Sequence, residues 1–237
     1  MQRIHTITLD LDDTLWPILP VIQRAERMLW EFLQANYPRV PASFDRSAAA
    51  ILRESVIAEN KDRAHDLRFL RRTVLARMAA SCDYAPSLVD EAFAVFDEQR
   101  NIVELFPDVQ AALQQLRGSY RLVALTNGNA SLDRIGIRHL FDDVITAIDA
   151  GAAKPALQIF EFARERTGAA ADELLHVGDH PHFDVEGARA AGLRTAWVNR
   201  RGDEWPAGLP QPDATVTCMQ QLADFLQPFA RPRDASR

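Results

Sequence analysis

The stretch Ile4-His5-Thr6-Ile7-Thr8-Leu9-Asp10-Leu11-Asp12-Asp13-Thr14 joins a short apolar run to a cluster of carboxylates. Its first half is rich in β-branched residues and too short for a helix, which is the pattern of a strand buried on both faces. Such strands belong to parallel sheets covered by helices. Ligands of open parallel sheets bind outside the carboxyl ends of the strands. Asp10, Asp12, Asp13 and Thr14 fall at that end, so this segment predicts both the fold class and the edge that carries the chemistry.

Downstream the texture changes twice. From about Pro17 to Asn101, Val21–Leu33, Ser47–Ile57, Leu67–Met78 and Leu88–Phe96 repeat with helical period, and Pro38, Pro41 and Pro86 punctuate them. This block predicts a bundle of about four helices. After Pro107, helix and strand patterns alternate. Val109–Leu116 reads as a helix, Arg121–Leu125 as a strand, Val144–Ile148 as a strand and Pro155–Arg166 as a helix. Leu174–Val177 reads as a strand, Val185–Ala191 as a helix, Arg194–Val198 as a strand and Thr215–Cys218 as a short strand before a last helix. Beyond Phe229 a frayed tail is expected. The predicted architecture is α/β: a Rossmann-like parallel-sheet core from residues 1–16 and 102–237, with an α-helical bundle inserted at residues 17–101.

Composition sets the outer bounds. With 237 residues, 47% hydrophobic and 25% charged, the chain can build a core without disulfides or metal staples. Its formal charge of −6 and lack of a basic run argue against nucleic acid as a partner. Cys82 and Cys218 match no metal spacing and read as reduced thiols. No window is long and apolar enough for a membrane span, and the first residues lack a signal-peptide pattern, so a cytoplasmic location is expected. All but two of the 27 cations are arginine; the exceptions are Lys61 and Lys154. A lysine in such a chain suggests a position where a compact point charge is wanted.

Four segments supply candidate site residues. Asp10 and Asp12, two apart on an extended chain, would share one side, and two close carboxylates are reconciled by a divalent cation with hard oxygen ligands. Thr126-Asn127-Gly128 follows the second strand and offers a hydroxyl and backbone N–H groups for an anion. Lys154 precedes Pro155 after the third strand. Gly178-Asp179 ends the fourth, with Asp184 five residues on, either near a metal or capping the helix at Val185. His180 and His182 lack the further ligands that zinc would need.

This set, Asp10-x-Asp12-x-Thr14, Thr126-Asn127-Gly128, Lys154-Pro155 and Gly178-Asp179-x4-Asp184, resembles the four ordered motifs of the haloacid dehalogenase (HAD) superfamily. The helical insertion is similar to the cap of its subfamily I, and the resemblance spans residues 4 to 228. It implies a Mg²⁺-dependent phosphatase acting through an aspartyl-phosphate. Asp10 is then the nucleophile and Asp12 the proton donor and later acceptor. Thr126, with Asn127 and Gly128, holds the phosphoryl group, and Lys154 offsets charge. Asp10, Asp179 and the carbonyl of Asp12 bind Mg²⁺, with Asp184 in support.

The substrate is expected to be a small-molecule phosphate ester, and the protein a monomer or weak homo-oligomer. The texture is similar to bacterial phosphatases of flavin mononucleotide and riboflavin intermediates. Trp16 is a candidate stacking platform or hinge-core residue. His65, Arg68 and Arg72 lie opposite Leu67, Leu70, Val74 and Met78 on one helix and are candidate substrate contacts or plain solvated surface. Metal-independent 2-haloacid dehalogenases share the fold but lack an acid at the position of Asp12. A phosphomutase would use Asp10 and Asp12 in the same way. A receiver domain also gathers acidic residues, Thr and Lys around Mg²⁺, but has no such insertion. A HAD-like regulator without activity would not need all the catalytic groups.

Overall fold

The computed structural model describes Met1 and residues 3–230; the expected frayed tail falls, from residue 231 on, outside the described residues. Six strands make one parallel sheet: β1 (Thr6–Leu9), β2 (Arg121–Thr126), β3 (Asp143–Thr146), β4 (Leu174–Gly178), β5 (Arg194–Val198) and β6 (Ala214–Val216). Their spatial order is β3-β2-β1-β4-β5-β6. The chain runs outward from β1 to β3, then returns to the other side of β1 for β4. The switch of direction therefore lies at the central strand, where open sheets form their ligand crevice. All four residues of β1 are buried, as a two-faced central strand requires.

The chain forms two compact units. The sheet unit contains Met1–Pro17, Glu104–Gly128 and the chain from Gly136 on; the helical unit contains Ile18–Val103 and Asn129–Ile135. Residues 129–135, assigned to the sheet core by sequence, join the helical unit because Ser131 N–H donates to Asn101 Oδ1 at 2.6 Å and Arg134 pairs with Asp97.

The helical unit holds α1 (Ile18–Asn36), α2 (Arg39–Ser43), α3 (Arg46–Glu59), α4 (Leu67–Ser81), α5 (Ser87–Arg100) and the short α7 (Leu132–Ile135). Its core joins Leu29 and Leu33 of α1 to Leu75 and Met78 of α4 and Phe93 and Phe96 of α5. Asp45 and Asp66 start α3 and α4 by accepting the N–H groups of Ala48 and Phe69, both at 2.8 Å. Helix α2 forms across Pro41, where the sequence suggested only punctuation; in a first turn the missing N–H has no partner to lose. Leu67, expected on the buried face of α4, is 46% exposed, because it stands in the first turn.

In the sheet unit, α6 (Val109–Arg117), α8 (Ala147–Ala150), α9 (Leu157–Thr167), α10 (Gly187–Ala190) and α11 (Met219–Leu226) accompany the strands. Strand β3 ends before the expected Ile148. Thr146 and Asp149 form a reciprocal capping box that turns the chain into α8. The helix expected from Val185 begins earlier, as a wide π turn at Pro181–Glu186 that leads into α10. Among the described residues no helix is long and apolar enough to cross a membrane.

Candidate active site

Strand ends bring the site together. The Asp10 N–H donates to Val177 O at 2.9 Å, which stitches the exit of β1 to β4 and sets Asp10 beside Asp179. After Asp10 the chain leaves extended geometry. Leu15 N–H reaches back to Leu11 O at 2.8 Å, and Asp13 takes φ +58°. Asp is one of the few side chains that tolerates that left-handed conformation.

Lys154 is the hub. Its Nζ lies 2.6 Å from Asp10 Oδ1 and 2.6 Å from Asp184 Oδ1, with the side chain only 2% exposed. Asn127 clamps the backbone that carries it: Asn127 Nδ2 donates to Lys154 O at 2.9 Å, and Lys154 N–H donates to Asn127 Oδ1 at 2.7 Å. Asp184 is held from three more directions. His180 N–H donates to its Oδ2 at 2.9 Å, and His176 Nε2 sits 3.1 Å from its Oδ1. The third constraint is space: a Cβ on residue 178 would fall 2.2 Å from Asp184 Cγ, so only glycine fits at Gly178.

His176 is fully enclosed, and Thr8 Oγ1 lies 2.9 Å from its Nδ1. Burial holds the imidazole below its ordinary pKa, so it is neutral with one N–H. The arrangement that satisfies both contacts has Thr8 donating to Nδ1 and Nε2–H donating to Asp184. Thr14 Oγ1 stands 3.2 Å from Asp10 Oδ2 and 3.4 Å from Asp179 Oδ1. Farther out, Arg200 Nε donates to Thr14 O at 3.0 Å while its two Nη atoms grip Asp108, each at 3.0 Å. Trp197 Nε1 donates to Asp179 O at 2.7 Å.

The electrostatics follow from this wiring. Burial is the largest influence on Asp10, Lys154 opposes it, and Asp184 and Asp179 add to it; the result is a pKa pushed up to about 8. Asp179 rises to about 7, from burial first and then from Asp184. Asp184 goes the other way: despite burial, Lys154 and His176 hold it well below the usual carboxylate range. Burial pulls Lys154 down, but Asp10 and Asp184 outweigh it and keep the ammonium charged.

Asp10, Asp179 and Asp184 each place a carboxylate oxygen within 4.8 Å of the others. Ionised, these three carboxylates face the single charge of Lys154. That deficit, presented by hard oxygen donors, fits a divalent cation such as Mg²⁺.

A stability prediction follows. Between about pH 4 and pH 8 the folded, metal-free protein holds protons on Asp10 and Asp179 that the unfolded chain has released, so its stability falls as pH rises. Asp184 and Lys154 do not titrate in that window, and His176, held neutral by burial, opposes the trend only below its ordinary value of 6.5. A cation that binds the ionised forms reverses the trend. Thermal melts should show Mg²⁺ raising Tm more at pH 8 than at pH 6, and Asp179→Asn should flatten the difference. Equal Mg²⁺ shifts at both pH values would remove this assignment.

The other sequence-predicted residues make different contacts. The carboxylate of Asp12 does not join the three-carboxylate group. Its Oδ1 accepts from Trp16 Nε1 at 2.9 Å, within the turn that Leu15 closes onto Leu11, where the same-side rule of an extended chain no longer applies. Gly128 N–H, expected to face an anion, donates to Thr126 Oγ1 at 2.9 Å in a tight turn. The side chain of Asn127 serves Lys154. Trp16 is wholly buried, so it offers no ring face for stacking. Within the helical unit, Arg68 pairs with Asp97 at 3.5 Å and Arg72 with Asp90 at 2.5 Å, while His65 is half-buried.

Sequence reasoning assigned no role to Thr8, His176 or Arg200. Thr8 and His176 look like ordinary interior strand residues. Arg200 is one arginine among many, 186 positions from Thr14. Only the proximity of the two segments in the fold reveals it.

Known proteins share this construction. A curated Escherichia coli relative, the 5-amino-6-(5-phospho-D-ribitylamino)uracil phosphatase YigB, is 33% identical over 202 residues, covering 84% of each chain. A glyceraldehyde 3-phosphate phosphatase of Methanopyrus kandleri is 32% identical over 96% of this chain and 99% of its own. The solved structure of a 2-haloacid dehalogenase from Pseudomonas syringae pv. Tomato DC3000 superposes with TM-score 0.90 at 35% identity, covering 96% of this chain and all of that one. The family model for haloacid dehalogenase-like hydrolases matches residues 4–192, from the strand that delivers Asp10 to the helix behind Asp184. With those residues brought to one sheet edge, the chain belongs to the haloacid dehalogenase-like hydrolase family.

Proposed function

We propose that this hydrolase is a Mg²⁺-dependent phosphatase that cleaves a small-molecule phosphate monoester through an aspartyl-phosphate. The observation that carries the reading is the convergence of Asp10, Asp179 and Asp184 on one buried lysine. Asp10, Asp179 and the carbonyl of Asp12 would hold the cation, with Asp184 behind them. When bound, the cation offsets the repulsion between an anionic carboxylate and an anionic phosphoryl group.

The chain's own residues do the rest. A carboxylate oxygen of Asp10 forms a bond to phosphorus as the ester P–O bond breaks, and Asp12 gives its proton to the leaving alkoxide. Asp12 then takes a proton from water, whose oxygen attacks phosphorus. The Asp10–phosphorus bond breaks, releasing inorganic phosphate and restoring the Asp10 carboxylate. Thr126 Oγ1 accepts from Gly128, which leaves its own proton to donate to a phosphoryl oxygen. Lys154 holds Asp10 in place.

The names of the YigB and glyceraldehyde 3-phosphate relatives support phosphate chemistry. We take riboflavin-pathway phosphates, flavin mononucleotide among them, as the first substrates to test. A second reading, 2-haloacid dehalogenase, is favoured by the Pseudomonas syringae structure. Displacement of halide from carbon releases an anion that needs no proton, so its first step would give Asp12 no task as an acid.

Purified protein, screened against p-nitrophenyl phosphate and against flavin, nucleotide and sugar phosphates, should release phosphate with Mg²⁺. EDTA should stop the reaction and Mg²⁺ restore it. Chloride release from 2-chloropropionate, unaffected by EDTA and without phosphatase activity, would establish the second reading instead.

A further inference from the structure

The indole of Trp16 is fully enclosed in the turn after Asp10, with its N–H on Asp12 Oδ1 at 2.9 Å. The same turn is closed by the backbone: Asp13 N–H donates to Trp16 O at 2.8 Å. Arg200, anchored on Asp108, fixes the turn at Thr14 O. A ring walled in on all sides cannot rotate, so its N–H points in one direction.

We propose that Trp16 is a positioning residue for Asp12, setting the orientation in which the Asp12 carboxylate meets the leaving group and then the water. This deepens the phosphatase reading and rests on it. The need is physical. Asp12 is only half-buried and sits in a turn, and the terminal torsion of an aspartate is soft. A proton carrier must lie within hydrogen-bond reach of the reacting oxygen in both half-reactions. Most of that benefit comes from holding the group in its working geometry. An indole N–H only donates, so it grips a carboxylate oxygen without competing for the ligand's own donors.

Trp16→Phe keeps an aromatic ring and deletes the N–H. The test measures kcat for phosphate esters whose leaving groups run from p-nitrophenol to a simple alcohol, with Mg²⁺ present. p-Nitrophenolate departs without a proton; an alkoxide does not. The variant should lose about tenfold or more on alkyl esters, a fraction of what a general acid contributes, and clearly less on p-nitrophenyl phosphate. In the Asp12→Asn background, Trp16→Phe should add no further loss on alkyl esters. A residue that only supports the fold would slow every ester alike and add to Asp12→Asn; either result overturns the proposal.

Should Trp16→Phe fail to fold, the indole N–H signals of the four tryptophans give a second measurement. Asp12→Ala should shift the Trp16 signal and leave Trp30, Trp197 and Trp205 in place. An unmoved Trp16 signal overturns the proposal. Wild-type protein that hydrolyses no ester overturns the phosphatase reading, and this proposal with it. Wild-type turnover with a leaving-group-independent Trp16→Phe loss overturns this proposal alone.

Discussion

Asp10→Asn is expected to abolish turnover of every phosphate ester, and rapid quench with labelled substrate should find no label on the protein. The amide cannot act as the attacking carboxylate, and no other described carboxylate shares its place, touching Lys154 on one oxygen and Thr14 on the other. Asp12→Asn should behave differently. The nucleophile and its lysine remain, but the proton donor and the later base are gone. General acid–base catalysis contributes about 10²–10⁴-fold, roughly 3–5 kcal/mol of barrier. With p-nitrophenyl phosphate the first step hardly needs the donated proton, while the second still needs its base. Label should therefore accumulate on Asp12→Asn. Label on Asp10→Asn, or equal loss of label from both variants, would show that the roles have been exchanged or misplaced.

Lys154→Met should cost both activity and stability. Asp10 and Asp184 are buried and share the lysine as their cation. Removing one partner of a buried ion pair typically costs about 3–5 kcal/mol, because the remaining charge stays desolvated. Without the lysine, Asp184 loses the main influence that holds its pKa down. Urea denaturation should show a large fall in midpoint. Asp184→Asn in the same chain should recover part of it, since the stranded Asp184 charge is then gone, but should restore no turnover. Lys154→Arg should not substitute. A planar fork cannot occupy the point between two carboxylate oxygens that a compact ammonium fills at 2.6 Å from each. A midpoint unchanged in Lys154→Met would mean that the buried network contributes little to the fold.

The fold class and the sheet edge that gathers the candidate site residues were legible in the sequence, because the relevant signals are local. A buried parallel strand is a short apolar run, and its ligand-bearing end is wherever that run meets carboxylates. Asp10, Thr126 and Asp179 could be named for that reason, since each lies at the end of a strand whose pattern is readable; Lys154 stands beyond α8 and Asp184 inside the turn after β4. Helix starts were less legible. Thr146 and Asp149 end β3 through a capping box, a competition between strand and cap that periodicity does not register.

What tertiary structure alone decided is which groups touch. Asp12 and Trp16 are near in sequence, yet their pairing depends on the turn that Leu15 closes back onto Leu11, and the Asp12 carboxylate is not among the three that meet at Asp10, Asp179 and Asp184. The clamp of Asn127 on Lys154 spans 27 positions, and the contact between Thr8 and His176 spans 168. Such contacts have no local signature, since a buried histidine in a strand and an arginine in a loop look the same whether or not they face a catalytic residue. Residue types, and their order along the chain, specify a sheet edge rich in carboxylates. Only the packing of one strand end against the next determines that a single lysine serves two of them.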